Sequence, residues 1–154
     1  MKLRNYHLAV VLALLAVGTG LAQDQHRDPG FVYMQPADME YVTNPDYSDV
    51  SSAVLYGDPA KEGIYVMRLR VGAGVIFPPH YHDQDRHVTV IAGVWAFGTG
   101  DSGECEDTKP LAAGSYAMHP KGAVHYDGAC GNEQVEVQII GMGPVGTFGV
   151  EEGR

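Results

Sequence analysis

The sequence predicts an all-β domain, a sandwich or barrel of short strands, on three observations. Short apolar runs rich in Val, Ile, Tyr and Phe recur along the chain, with Gly, Pro, Asp and Asn in the gaps. Twenty glycines and nine prolines in 154 residues are poor material for long helices. Beyond the N-terminal leader, no stretch keeps a 3.6-residue apolar period with caps at both ends. Many short strands joined by turns bury their faces by double-sheet packing or closure, around an interior able to hold a small ligand.

In chain order, residues 1–22 read as a cleaved signal peptide. Lys2 and Arg4 form a basic start, residues 8–17 are wholly apolar, and Gly20, Leu21 and Ala22 end the segment with small residues. The apolar run is too short for a comfortable membrane span. Residues 23–62 are expected to hold a polar lead-in, with Pro29 in it, and the first strands, including one candidate helical turn at 36–41. Residues 63–150 are expected to form the body of the domain, with strands at 63–71, 87–92, 94–98, 115–119, 123–127 and 134–141.

The formal net charge is −9, or −11 once Lys2 and Arg4 leave with the leader. An acidic surface repels phosphate backbones and anionic lipid, which argues against nucleic-acid binding and against membrane docking after cleavage. The expected compartment is the periplasm or the exterior. Cys105 and Cys130 form an even pair in a chain read as exported, so a disulfide is expected; without a C-x-x-C pairing, thiolate metal ligation has less support.

Five of the seven histidines lie between positions 80 and 125, in two clusters: GVIFPPHYHDQDRHVTVIAG, with His80, His82 and His87, and GSYAMHPKGAVH, with His119 and His125. Imidazole ligates divalent transition metals at neutral pH, and two imidazoles at i, i+2 on a strand share one face. His80 and His82 are thus a ligand pair awaiting a third from another strand.

These two segments resemble the cupin superfamily. Its first motif, G-x5-H-x-H-x3,4-E-x6-G, is met here by Gly74, His80, His82 and Gly93. Its second, G-x5-P-x-G-x2-H, is met in full by Gly114, Pro120, Gly122 and His125. The resemblance implies a single double-stranded β-helix, or jelly-roll barrel. It also implies a metal at His80, His82 and His125, and a homodimer. One position departs from the pattern: where the family carries glutamate, this chain carries Arg86. In that place Arg also resembles a group of small bacterial cupins.

A guanidinium is always charged and cannot ligate a cation. Strand alternation groups Val88, Val90 and Ala92 inward, which places Arg86 inward and His87 outward unless a bulge reverses the phase. Two arrangements follow. Either His87 turns in and completes a four-histidine site, or His80, His82 and His125 bind alone and Arg86 clamps an anionic ligand. His119 is a candidate general acid or base, an added ligand, or a hydrogen-bonded structural histidine.

A nitrogen-rich site suits one divalent transition metal, Zn, Cu, Ni, Fe or Mn, over Mg or Ca. The reading is therefore an exported metal-dependent enzyme acting on a small oxygen-rich carboxylate or carbonyl metabolite, as oxygenase or as isomerase or lyase. His119 and Arg86 would be its catalytic residues. The alternative is a non-catalytic periplasmic module that binds a metal or small ligand.

Overall fold

A computed structural model describes residues 30–150, so the expected signal peptide lies outside the described residues. All elements below belong to the unit that begins at Tyr33. Pro36–Asp38 is a single 3₁₀ turn, the only part of the candidate helical turn that forms. Eleven strands follow: β1 Val42–Thr43, β2 Val50–Tyr56, β3 Gly63–Val71, β4 Ile76–His82, β5 Arg86–Ala92, β6 Val94–Thr99, β7 Lys109–Ala112, β8 Tyr116–His119, β9 His125–Gly128, β10 Val135–Gly143 and β11 Thr147–Gly149. β1 and β2 lie before residue 63.

The strands form two antiparallel sheets, one of six in the order β1-β2-β3-β10-β5-β8 and one of five in the order β11-β4-β9-β6-β7. This is the two-sheet jelly roll that the sequence predicts. From β3 onward consecutive strands alternate between the sheets, except that β6 and β7 pair in the same one. Burial along β10 shows the period of two: Val135, Val137 and Ile139 are buried, while Glu136, Gln138 and Ile140 turn outward. Val50, Tyr65, Val71, Val88, Val90 and Trp95 complete the buried cluster between the sheets.

Two glycines show how closely the backbone is packed. Gly93 turns β5 into β6 at φ +74°, and a Cβ there would lie 2.7 Å from the Gln134 carbonyl oxygen. Gly98 lies against the ring of Tyr126, which a Cβ at that position would strike. Tyr126 is accordingly buried in the five-stranded sheet.

Cys105 and Cys130 are joined in a disulfide, with Cα atoms 5.8 Å apart. The bridge ties the 3₁₀ turn Cys105–Asp107, after β6, to the connection between β9 and β10.

Candidate metal centre

Four strands build the site in two facing pairs. In the five-stranded sheet β4 and β9 are antiparallel with His80 opposite His125, and in the six-stranded sheet β5 and β8 are antiparallel with Arg86 opposite His119. The side chains of His80, His82, His125 and Asp127 from one sheet thus meet those of Arg86 and His119 from the other. Pro78 and Pro79 lead into His80, and the stiffness of proline limits the freedom of that approach. The Gly122 amide donates to the His82 carbonyl at 2.7 Å and the Lys121 amide to the Asp85 carboxylate at 2.7 Å, so the loops after β4 and β8 brace each other.

The ligand atoms of His80, His82 and His125 all lie within 4.8 Å of one another. Their ring centroids are 4.4 Å apart for His80 and His125, 5.0 Å for His80 and His82 and 5.1 Å for His82 and His125. Each ring aims Nδ1 at a backbone carbonyl: His80 at Pro78, 2.8 Å; His125 at Ala123, 3.0 Å; His82 at Gly146, 3.2 Å. A carbonyl only accepts, so Nδ1 carries the proton in all three and Nε2 keeps its lone pair. This is the outer-shell arrangement that orients histidine ligands in metal sites.

Burial is the main cause that lowers the pKa of every histidine here, and the positive charge of Arg86 adds to it. His82 is pushed down to about 3, His125 to about 4 and His119 to about 2, with His80 also below its ordinary value. The imidazoles are therefore neutral near pH 7, the state that ligation requires. Neutral, buried, lone-pair-bearing nitrogens fit a transition metal.

Arg86 points inward, and its Nη1 donates to His82 Nε2 at 2.7 Å. His87 points outward; its ring is exposed, with Nδ1 2.7 Å from the Tyr116 hydroxyl, so it does not join the other four histidines. The expectation of His87 as fourth ligand is corrected by the phase of β5, where alternation carries Arg86, Val88 and Val90 inward without a bulge at the strand's start. His119 is buried beside the cluster, its ring 4.0 Å from that of His125 and stacked on Phe97 at 5.1 Å.

Asp127 is the residue that the sequence reading passed over. It is buried, with its Oδ2 3.7 Å from His119 Nε2 and 3.8 Å from His125 Nε2. Burial raises its pKa to about 7, against the opposing pull of Arg86. With the histidines neutral, these contacts are not ion pairs. The i, i+2 rule that groups His80 with His82 also groups His125 with Asp127, and that signal was present in the sequence.

A cavity of about 470 Å³ opens onto His80, His82, Arg86, His119 and Asp127, walled in part by Met67, Phe77, Trp95 and Val137. Asn44, Asp46 and Tyr47, from the connection between β1 and β2, also line it.

The family model for the ChrR cupin-like domain matches residues 29–146. The chain belongs to that cupin family. Among solved structures this cupin is similar to a polyketide cyclase of Streptomyces resistomycificus at TM-score 0.66 and 16% identity, covering 80% of this chain and 88% of the other. It is also similar to a cupin-superfamily sugar phosphate isomerase of Silicibacter pomeroyi, at TM-score 0.63 and 17% identity over 78% of this chain and 82% of the other. A DMSP lyase of Ruegeria pomeroyi aligns at TM-score 0.59 and 17% identity, covering 77% of this chain and 64% of the other. At these identities the likeness is one of fold. A search of curated protein sequences finds no match.

Proposed function

We propose that this cupin is an exported, metal-dependent enzyme acting on a small oxygen-rich carboxylate or carbonyl metabolite, as an oxygenase or as an isomerase or lyase. The observation that carries the reading is the convergence of buried, neutral imidazoles whose Nδ1 protons are held by backbone carbonyls and whose Nε2 atoms face one another. His80, His82 and His125 are the ligand set that the motifs imply. A bound divalent transition ion supplies Lewis acidity toward a substrate oxygen, or a place for dioxygen beside it.

The chain's own residues would divide the remaining work. Arg86 is a fixed positive charge in the cavity, suited to pair with a substrate carboxylate in bidentate fashion. His119 lies against His125, where it can hold or pass a proton or add a ligand. The apolar walls of Phe77, Trp95 and Met67 favour a small substrate and limit the water that enters with it. Relatives named as a cyclase, an isomerase and a lyase support small-molecule chemistry on this fold without choosing among reactions. The disulfide supports export, since such bonds persist in oxidising compartments.

One contact favours a second reading, a non-catalytic periplasmic binding module. Arg86 already holds the His82 lone pair, and in that state the cavity is a cationic pocket for an anion, without turnover. Elemental analysis of untagged protein, followed by assay against small keto and hydroxy acids, separates the two. The enzyme reading predicts about one transition ion per chain, and turnover that His125→Ala abolishes without loss of fold. Metal-loaded protein that binds these acids but turns over none of them would decide for the module.

A further inference from the structure

Beside the three imidazoles of His80, His82 and His125, the barrel interior holds a second group of donor atoms. His119 Nε2 lies 3.7 Å and His125 Nε2 3.8 Å from the same oxygen of Asp127, and the ligand atoms of all three lie within 4.8 Å of one another. The three residues are only 4%, 2% and 4% exposed. Neither ring nitrogen of His119 has a hydrogen-bond partner among the described residues, nor does Nε2 of His125. Buried polar atoms seldom go unpartnered, and a cluster of them aimed at one carboxylate oxygen calls for an occupant. The spacings are too long for hydrogen bonds. They are close to the roughly 3.4 Å that separates donors placed about 2.1 Å around a four-coordinate ion.

We infer that His119, His125 and Asp127 form a metal seat of their own, a two-histidine, one-carboxylate set for a divalent transition ion. The ion takes this seat while Arg86 holds His82. The inference rests on the metal reading given above and changes which residues carry the ion.

Three features favour this seat over the three-imidazole point. The Arg86 contact engages the Nε2 lone pair of His82 at 2.7 Å, whereas those of His119 and His125 are free of such contacts. An all-imidazole set would leave two positive charges beside a guanidinium, whereas Asp127 brings the negative charge that the missing motif glutamate would have supplied. The donors also stand on regular strands: His125 and Asp127 share one face of β9, and His119 ends β8 with its ring stacked on Phe97. Two nitrogens and one carboxylate oxygen suit Fe(II), Co(II) or Zn(II), with positions left open for substrate or water. His125 has one free lone pair, so the two seats are alternatives. An anion that draws Arg86 away from His82 favours the three-imidazole seat.

Co(II) titration of the untagged protein, read by its visible absorption, tests the assignment. Asp127→Asn, close to isosteric, is expected to weaken Co(II) binding by at least about tenfold and to change the spectrum, as is His119→Gln. His87→Ala, at the exposed histidine outside the cluster, is expected to leave the affinity within about threefold. If His119→Gln fails to fold, Asp127→Asn alone decides. Wild-type protein that binds Co(II) while Asp127→Asn keeps its affinity and spectrum would overturn this seat and leave the metal reading standing. Loss of binding in His82→Ala but not in Asp127→Asn would do the same. Wild-type protein that binds no Co(II) would overturn both.

Discussion

Arg86 is the residue on which the electrostatics of the barrel turn. It brings a permanent positive charge to a cluster of four neutral imidazoles and one buried carboxyl, and it lowers the pKa of each of them. Substituting the motif residue, Arg86→Glu, exchanges that charge for a carboxylate beside His82 and frees the His82 lone pair. Zn(II) affinity is expected to rise at least about tenfold, measured by competition with a chromophoric chelator. Binding of a carboxylate ligand, followed by calorimetry, is expected to fall in parallel. An unchanged Zn(II) affinity would mean that Arg86 does not set the charge of the site. At this scale the sequence was legible where pattern and period agreed. The pairing of His80 with His82 was readable from their spacing, the place of His125 from the resemblance to the second cupin motif, and the inward turn of Arg86 from the phase of Val88 and Val90. Asp127 was not found, because the motif ends at His125 and the i, i+2 rule was not carried two residues further.

Among the elements, the long central strands were the most readable. β3 and β10 carry their β-branched and apolar residues in the alternation that a half-buried strand needs. β2 was expected only as an unplaced strand before residue 63: its VSSAVLY has serines at 51 and 52, so only Val50 and Ala53 turn fully inward and the alternation is broken. β7 and β11 are short strands at the ends of their sheet, and their KPLA and TFG sequences are placed by pairing with β6 and β4, a tertiary effect that no local pattern reveals. The Cys105–Cys130 bridge was expected from compartment and parity, and it closes a loop with a sequence separation of 25. Closing such a loop stabilises by about 3 kcal/mol in the chain-entropy model. Reduction, or Cys105→Ser with Cys130→Ser, is expected to lower the melting temperature by roughly 10 °C in thermal unfolding followed by circular dichroism. A change within about 2 °C would mean that the sheets hold these connections without the bond.

For the whole molecule, the buried histidines couple folding to pH. A histidine whose folded pKa lies below its ordinary value of 6.5 leaves the unfolded chain holding more protons, so acidification favours unfolding. His80, His82, His119 and His125 all act in this sense. Asp127 acts in the opposite sense: raised from 3.8 to about 7, it makes the folded state hold the extra proton between those limits, so acidification relieves part of its burial cost. Four groups oppose one, and the metal-free protein is expected to lose stability steadily as pH falls from about 6.5 towards 4. Denaturant midpoints measured across that range check it; a flat profile would mean that the imidazoles are not buried in the neutral form. The central claim is that the inner faces of the two sheets bring donor atoms to one ion at His125. Anomalous diffraction at the metal edge, on crystals of untagged protein, tests this most directly. A single peak within about 2.0–2.3 Å of His125 Nε2 is the predicted result; no peak inside the barrel, or one out of reach of His125, would contradict it.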